Sequence, residues 1–214
     1  MISIILPWVR EDGYSRCVSA VFDSVETGTT FEIVAEKDVD LIGCNPMVNR
    51  LVEKAKYDII CFLHDDSEPQ RRFLENAIEV MEDFPDGWGC VGFNDLIHNS
   101  DGPCTHWMIH KKMLRYFPDG VFYSEDYVHT RVDLELKQVC KAAERYRWAE
   151  KAKIRHLNPI HNRDVKRDEV ALRCYSRENL RHDAEVYERR RREQGRKWEV
   201  AKTRTIHRFA HTQK

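Results

Sequence analysis

The sequence lacks any apolar run that approaches the ~20 residues with which a helix crosses a bilayer, so no membrane-spanning helix is expected. Its amino terminus, MISIILPWVRED, has no basic segment ahead of its apolar residues and enters a strand at once, so we expect no signal peptide. The chain has 214 residues, of which 33% are charged. This length predicts one soluble domain, or one domain with an appendage, around a substantial core.

Paired cysteine motifs are also absent. The seven cysteines are an odd number and include no CxxC pair, which favours reduced thiols and a cytoplasmic location over a disulfide framework. Cys61, Cys90 and Cys140 lie in apolar contexts, so we expect them to be small core residues.

The net charge is only −1, but the charged residues are unevenly distributed along the chain. Residues 163–214 contain 16 Lys/Arg and 9 Asp/Glu, a charge of +7, which leaves −8 for residues 1–162. An acidic body with a basic tail suggests that the tail contacts something anionic. The alternative is a solvated helix whose acids and bases pair at helical spacing.

Strand and helix patterns alternate through the first 85 residues. The predicted elements there are strands 2–6, 31–35 and 59–63 and helices 14–26, 45–55 and 69–84. The elements predicted after residue 87 are strands 88–93, 105–109 and 153–157 and helices 110–117, 127–146 and 168–195. The alternation predicts an α/β fold with a mixed, mostly parallel nucleotide-binding sheet flanked by helices.

The apolar run at residues 57–66, YDIICFLHDD, ends abruptly on two adjacent carboxylates. Its centre has the pattern of a strand buried on both faces, and ligands of open α/β sheets bind beyond the carboxyl ends of such strands. Asp65 and Asp66 would lie there, where paired acids can hold a divalent cation and, through it, phosphate oxygens. The alternative is a strand end followed by a polar turn.

The order of these motifs over residues 1–162 resembles that of family 2 glycosyltransferases with the GT-A fold. Residues 49–66, NRLVEKAKYDIICFLHDD, are similar to that family's N-x-G-x-x-x-A-x-G-x-x-I-x-F-L-D-D-D segment. The matching residues are Asn49, Ala55, Ile59 or Ile60, Phe62, Leu63, Asp65 and Asp66. The chain departs from the pattern where Leu51 and Tyr57 replace glycines and His64 replaces the first acid.

The resemblance implies a nucleotide site at the end of the first strand. Pro7, Trp8 and Arg10 would line the base and ribose, with Trp8 as an aromatic clamp or, alternatively, a core residue. Glu36 falls where the family places an acid that hydrogen-bonds the base, with Asp38 as its substitute. The nucleotide-binding residues implied are Pro7, Trp8, Arg10, Glu36, Asn49 and Asp65.

The resemblance also implies an acidic catalytic base and a late histidine in the metal site. Asp133, four residues after His129, is favoured narrowly as the base over Asp126 and its neighbour Glu125, for which helix N-terminal charge complementarity is the alternative explanation. His156 follows the last predicted strand and would join Asp66 on the metal, with His161 as the alternate.

These expectations describe an inverting glycosyltransferase that uses Mn²⁺ or Mg²⁺ and a nucleotide-sugar donor, a UDP-sugar being favoured. Asp66 and His156 would hold the metal, and Asp65 would contact the metal or the donor ribose. The alternatives are a nucleotidyltransferase, disfavoured because PWVREDGYSR after the first strand has a single glycine, and an inactive nucleotide-binding module.

The acceptor is expected to be a surface glycan or glycoconjugate, or DNA with modified bases. Residues 182–214, with Trp198 and Phe209 among basic residues, would contact the nucleic acid, another anionic surface such as lipid headgroups, or another subunit. The expected division is a glycosyltransferase-like domain at residues 1–162 and a basic, largely helical extension at residues 163–214.

Overall fold

The computed structural model describes residues 1–162, 165 and 167–210, with side chains described as far as residue 195. In chain order its elements are β1 (Ile2–Trp8), α1 (Glu11–Ser24), β2 (Phe31–Lys37), α2 (Cys44–Lys54), β3 (Ile59–Phe62), β4 (Ser67–Pro69), α3 (Phe73–Glu82), β5 (Cys90–Asn94), β6 (Trp107–His110), a 3₁₀ helix (Lys111–Tyr116), α4 (Val132–Ala142), β7 (Tyr146–His156), α5 (Glu169–Cys174) and α6 (Arg177–Ala210). Among the helices described, none is long and apolar enough to cross a membrane.

The strands form one curved sheet in the order β2-β1-β3-β6-β5-β7-β4. β1 is parallel to β2 and β3, and β5 is parallel to β7. β6 runs antiparallel between β3 and β5, and β4 pairs antiparallel with β7. Five of the seven described strands therefore point the same way, which confirms the mixed, mostly parallel α/β sheet.

Side chains alternate across β1 and β3 and divide the core into two layers. Ile5 and Phe62 face the layer that contains α2, α4 and the first part of α6. Ile4, Leu6 and Leu63 face the opposite layer, which contains α1 and α3. Because helices cover both faces of the central strands, those strands are apolar at nearly every position, as the uninterrupted run at residues 59–63 predicted; Ser3 of β1 is a buried exception.

The predicted helix 127–146 is wrong in its bounds, since α4 is shorter and residues 146–156 form β7. Arg131 at φ 67° and Glu144 at φ 58° have left-handed backbone conformations that end the helix at both sides. Before α4, the Asp183 carboxylate accepts the backbone N–H groups of residues 128, 129 and 130. After α4, Tyr146 pairs with Cys90 of β5, so strand pairing overrides the local helical pattern.

The predicted start of the third helix at residue 69 is also wrong. Ser67–Pro69 forms β4, which pairs with β7, and α3 begins only at Phe73. Arg72 precedes α3 in the left-handed conformation, at φ 63°. This short strand matters because its register places His156 opposite Ser67.

Much of the segment after residue 167 packs against the body. Val186 and Tyr187 of α6 belong to the same core layer as α2 and α4. Arg190 is buried and its guanidinium binds Glu135 of α4. The side chains of Trp198 and Phe209 lie outside the described residues, and the division at 162/163 stays a prediction.

Candidate active site

Asp65 is held by the turn between β1 and α1. Its Oδ2 accepts the backbone N–H groups of Val9 and Arg10, each at 2.9 Å, and its Oδ1 lies 2.9 Å from Arg10 Nη1. A Cβ at Gly13 would lie 2.3 Å from the Asp65 carbonyl oxygen, so only glycine lets α1 approach this closely. The lone glycine of PWVREDGYSR therefore serves the packing of α1 on the Asp65 backbone.

Asp66 points in a different direction and keeps an unsatisfied oxygen. Its backbone carbonyl accepts the N–H of Leu157 at 2.8 Å, beside the β4–β7 ladder. This pairing brings His156 Nε2 to 3.5 Å from Asp66 Oδ2. Asp66 Oδ1 and His156 Nδ1 are buried and have no hydrogen-bond partner among the described residues.

A second buried histidine completes a cluster that could hold a metal ion. Ligand atoms of Asp66, His106 and His156 all lie within 4.8 Å of one another. One carboxylate and two imidazoles form a donor set that suits borderline divalent cations. With Asp66 Oδ1 free of other partners, the residues at this site fit a divalent metal.

The electrostatics of the cluster follow from burial and from its carboxylates. Burial alone would lower the pKa of His156, but Asp66 and Asp95 raise that pKa to about 9. Burial would likewise raise the pKa of Asp66, yet the neighbouring His156 holds it below its usual range. Burial lowers the pKa of His64 to about 4 and that of His106 well below its ordinary value. The carboxylates thus favour the charged form of His156, whereas burial favours the neutral forms of His64 and His106.

Two cavities meet at Asp66. The first lies at the carboxyl ends of β1 and β3 under α5, and the second extends towards the start of α4. The residues that line both are Cys44, His64, Asp66, His129 and Tyr175. A ligand that occupies both cavities would pass the Asp66 carboxylate and the four other shared residues.

In comparisons with known proteins, no sequence family and no curated protein matches this chain. Solved structures do match. TarS 1–349 from S. aureus, solved also with UDP and with UDP-GlcNAc, superposes with a TM-score of 0.55 at 12% identity over 74% of this chain. The mannosyltransferase PcManGT from Pyrobaculum calidifontis, solved with GDP-Man and Mn²⁺, gives 0.53 at 13% identity over 74% of this chain.

A third match is glucosyl-3-phosphoglycerate synthase from Mycobacterium tuberculosis, solved with Mn²⁺, UDP-Glc and phosphoglyceric acid. Its TM-score is 0.50 at 13% identity, over 85% of this chain and 78% of that one. All three are GT-A glycosyltransferases. The chain has the GT-A fold. It spans 60% of the TarS 1–349 structure and 57% of PcManGT, and at these identities the likeness shows the fold alone.

Most of the nucleotide-binding residues predicted from the resemblance line the first cavity of this GT-A fold. They are Pro7, Trp8, Arg10 and Asp65. Trp8 stacks on Tyr14 at 4.7 Å between ring centroids, with Lys37 Nζ 4.9 Å from the centroid of its ring.

Two of the predicted nucleotide-binding residues lie outside that lining. Glu36 binds Arg50 and Lys54 on the surface, whereas its substitute Asp38 lines the cavity. Asn49 is buried, and its Nδ2 donates to the Tyr123 carbonyl at 2.7 Å.

The two predicted catalytic acids have different surroundings. Asp133 lines the second cavity together with Asp66, and burial raises its pKa. Asp126 is exposed and lies 2.7 Å from Arg189 and 3.3 Å from Arg190. Glu125 is exposed too, and accepts Asn49 Nδ2 at 3.1 Å. Of the three acids, Asp133 alone shares a cavity with Asp66.

Sequence reasoning missed His106 and Asp95. His106 immediately precedes β6 and Asp95 immediately follows β5, and the two strands are antiparallel neighbours. Both side chains are almost fully buried, with Asp95 1% and His106 0% exposed. A polar residue at the end of each strand was the available signal, but only the strand order shows that these ends meet beside Asp66. His161, the predicted alternate ligand, lines the second cavity and packs against His98.

Proposed function

We propose that this protein is a metal-dependent glycosyltransferase that moves a sugar from a nucleotide-sugar donor to an acceptor hydroxyl with inversion. The observation that carries the proposal is the unpartnered Asp66 oxygen at the junction of two cavities. In a nucleotide sugar the bond to be broken lies between the nucleoside diphosphate and the sugar. The junction is where that bond would lie if each half occupied one cavity.

In this proposal the first cavity holds the nucleoside. Pro7 and Trp8 supply apolar walls, and Asp38 and Arg10 supply polar edges. Asp65 acts on the donor mainly by fixing Arg10 and the β1–α1 turn, since its oxygens already have partners. UDP-sugars are the favoured donors, because UDP and UDP-sugar complexes recur among the structures with this fold.

Asp66 and His156 would hold the divalent cation. When bound, Mn²⁺ or Mg²⁺ neutralises the charge that develops on the leaving diphosphate. The protein's own contribution is to present a buried carboxylate oxygen of Asp66 and the buried imidazole of His156 to the cation. His156 must lose its proton before it can serve as a ligand.

Asp133 would act as the base. The acceptor oxygen forms its bond to the anomeric carbon from the side opposite the diphosphate, and its proton passes to the Asp133 carboxylate. The bond from the anomeric carbon to the diphosphate breaks, and its electron pair leaves with the nucleoside diphosphate. Burial raises the pKa of Asp133, which strengthens it as a base.

The acceptor would be a glycan or glycoconjugate, or modified-base DNA. The protein would act in the cytoplasm, where its seven unpaired cysteines stay reduced.

The four consecutive arginines at 189–192 are not one free basic surface. Arg190 is 8% exposed and binds Glu135, while Arg189 pairs with Asp126 and Arg191 with Glu188. An anionic acceptor would therefore be contacted mainly by the chain after residue 195.

A panel of nucleotide sugars with Mn²⁺ or Mg²⁺ tests the proposal. Release of free sugar and nucleoside diphosphate from at least one donor, abolished by EDTA, is the expected result. Pyrophosphate release from a nucleoside triphosphate and a sugar phosphate would instead identify a nucleotidyltransferase. Donor binding with no product would identify an inactive nucleotide-binding module.

The DNA acceptor has its own test. A variant that lacks residues 196–214 keeps the α6 residues that pack in the core, so it should hydrolyse donor as the full chain does. Duplex DNA binding that is lost in this variant supports the role of the tail. Binding that is unchanged removes that role.

A further inference from the structure

His106 and Asp95 extend the cluster around Asp66 beyond the two predicted metal ligands. β5 and β6 are antiparallel, with Gly92 opposite Trp107, so the end of one and the beginning of the other lie side by side. Asp95 and His106 occupy these positions. Both reach the same edge of the sheet as Asp66, from strands distant in sequence.

The His106 ring is oriented by two hydroxyl groups. Ser67 Oγ lies 2.7 Å from Nε2, and Thr105 Oγ1 lies 3.1 Å from Nδ1. The ring is perpendicular to that of His156, with 4.7 Å between centroids. Two atoms that bind one cation at about 2.1 Å are at most about 4.2 Å apart. Since the three ligand atoms already lie within 4.8 Å, small side-chain movements would close them around a cation, with His106 Nε2 exchanging the Ser67 hydroxyl for the metal while Nδ1 keeps Thr105.

Asp95 supplies an outer carboxylate to both imidazoles. Its Oδ2 accepts Thr105 Oγ1 at 2.8 Å and lies 3.7 Å from His156 Nδ1. Thr105 in turn contacts His106, so the carboxylate reaches His106 through a hydroxyl and faces His156 Nδ1 as a nearby charge, without a hydrogen bond to it. Metal-binding histidines usually donate their second ring N–H to such an outer group, which fixes the ring. Asp95 also binds the His98 ring and backbone, so its own position is fixed.

We propose that Asp66, His106 and His156 form a three-ligand metal centre, oriented by Asp95, that binds a divalent cation before any nucleotide is present. Its role in sugar transfer rests on the proposed function. Two imidazoles among three ligands favour Mn²⁺, Co²⁺ or Zn²⁺ over Mg²⁺, which prefers oxygen. His106 is thus a residue that determines metal preference.

The test is metal binding by the nucleotide-free full-length protein. Co²⁺ is followed by its visible absorption, and Mn²⁺ by the loss of its free-ion EPR signal. The wild type should bind both, and Mg²⁺ should compete poorly. His106→Gln should weaken Co²⁺ binding at least tenfold and change the absorption band. Asp95→Asn should weaken binding by about 10- to 100-fold.

Because His106 is fully buried, His106→Gln can disturb folding as well as metal binding, so a milder variant is measured beside it. Thr105→Val keeps the imidazole and the side-chain volume but removes the hydroxyl that joins it to Asp95, and should weaken binding several-fold. His182→Gln, at an exposed position on α6, is the matched control and should bind as the wild type does. Thermal unfolding without metal shows that each variant is folded.

The outcomes separate this inference from the proposed function. Folded His106→Gln and Thr105→Val variants that bind Co²⁺ as tightly as the wild type would overturn the three-ligand centre. So would metal-dependent donor hydrolysis in a protein that binds no cation without nucleotide, although the proposed function would then stand. Co²⁺ binding that depends on His106, in a protein that hydrolyses no donor, would support the centre and remove the glycosyltransferase proposal.

Discussion

The two cavities share Asp66 but differ in how their polar atoms are satisfied. In the first, Asp65 has three partners within the protein, and the Asp38 carboxylate accepts the N–H groups of Ile42 and Gly43. In the second, Asp66 Oδ1 and His156 Nδ1 are buried without a hydrogen-bond partner among the described residues. An unsatisfied buried polar group costs about 1–3 kcal/mol, so such groups are kept where a ligand satisfies them.

This difference suggests that the first cavity recognises a ligand by its shape and that the second supplies the reactive groups. The carboxylates of the first cavity fix backbone turns, so that cavity can recognise a flat ligand through a preformed wall. The second cavity retains unused ligand atoms and a half-buried acid, Asp133, which are the groups that a site of cation binding and proton transfer would require. In the proposed function the adjacent residues Asp65 and Asp66 thus have opposite roles, and substitutions that preserve their size can separate the two.

The largest effect is expected for Asp66→Asn. Replacing one carboxylate oxygen with an amide removes the anionic ligand while keeping the side-chain volume. Donor hydrolysis and sugar transfer should fall ~10³-fold, because a cation at the leaving group contributes several kcal/mol to the rate. Steady-state kinetics with Mn²⁺ measures this, and turnover near the wild-type rate would contradict the site. The melting temperature should fall as well, since the substitution removes the carboxylate that lies 3.5 Å from His156 Nε2 and favours the charged form of that ring.

Asp133→Asn should produce the next largest loss. Removing a general base lowers the rate of the chemical step by about 10²-fold or more. Donor binding should remain, because Asp133 lies in the second cavity and not in the nucleoside cavity. Asp126→Asn is the matched control, since Asp126 is exposed and paired with arginines of α6. Its kcat should stay within about threefold of the wild type. If Asp126→Asn loses activity and Asp133→Asn does not, the assignment of the base is reversed.

The sequence predicted the first cavity better than the second for a physical reason. β1 and β3 can each be recognised from one continuous apolar run, and the acids that follow β3 are the residues that end its run. Parallel pairing of β1 with β3 then brings Trp8 and Asp65 to one edge with no further information. Glu36 and Asn49 are the exceptions. The Glu36 carboxylate pairs with Arg50 and Lys54 on the surface, and Asn49 is buried with its amide donating to the Tyr123 carbonyl.

The second cavity depends on contacts distant in sequence. The cluster of Asp66, His106 and His156 beside it requires the β4–β7 register and the position of β6 between β3 and β5. Neither can be read from hydrophobic periodicity, which predicted a helix where β7 begins. His156 was predicted through its place after the last strand, whereas His106 and Asp95 stand at strand ends whose neighbours only the fold reveals.

Asp65→Asn should mainly lower the stability of the protein and displace the β1–α1 turn. An amide in place of the carboxylate loses the ion pair with Arg10 and weakens the bonds to two backbone N–H groups, at a cost of about 1–3 kcal/mol. The melting temperature should fall by roughly 5 °C, and donor affinity about tenfold, because Arg10 and the β1–α1 turn lose their position. Thermal unfolding and donor titration measure the two effects. A rate loss as large as that of Asp66→Asn, without loss of stability, would place Asp65 on the metal instead.

Trp8→Ala should give the smallest effect, confined to donor binding. Trp8 lines the first cavity and packs one side of its ring on Tyr14, so its removal deletes a wall of the nucleoside site and leaves the second cavity unchanged. Loss of one aromatic contact should weaken donor binding about three- to tenfold with kcat nearly constant. Phe22→Ala, an exposed aromatic position on α1, is the matched control and should leave donor affinity unchanged. A fall in kcat with constant affinity would mean that Trp8 contacts the reacting sugar, and the division between a recognition cavity and a chemical cavity would then fail.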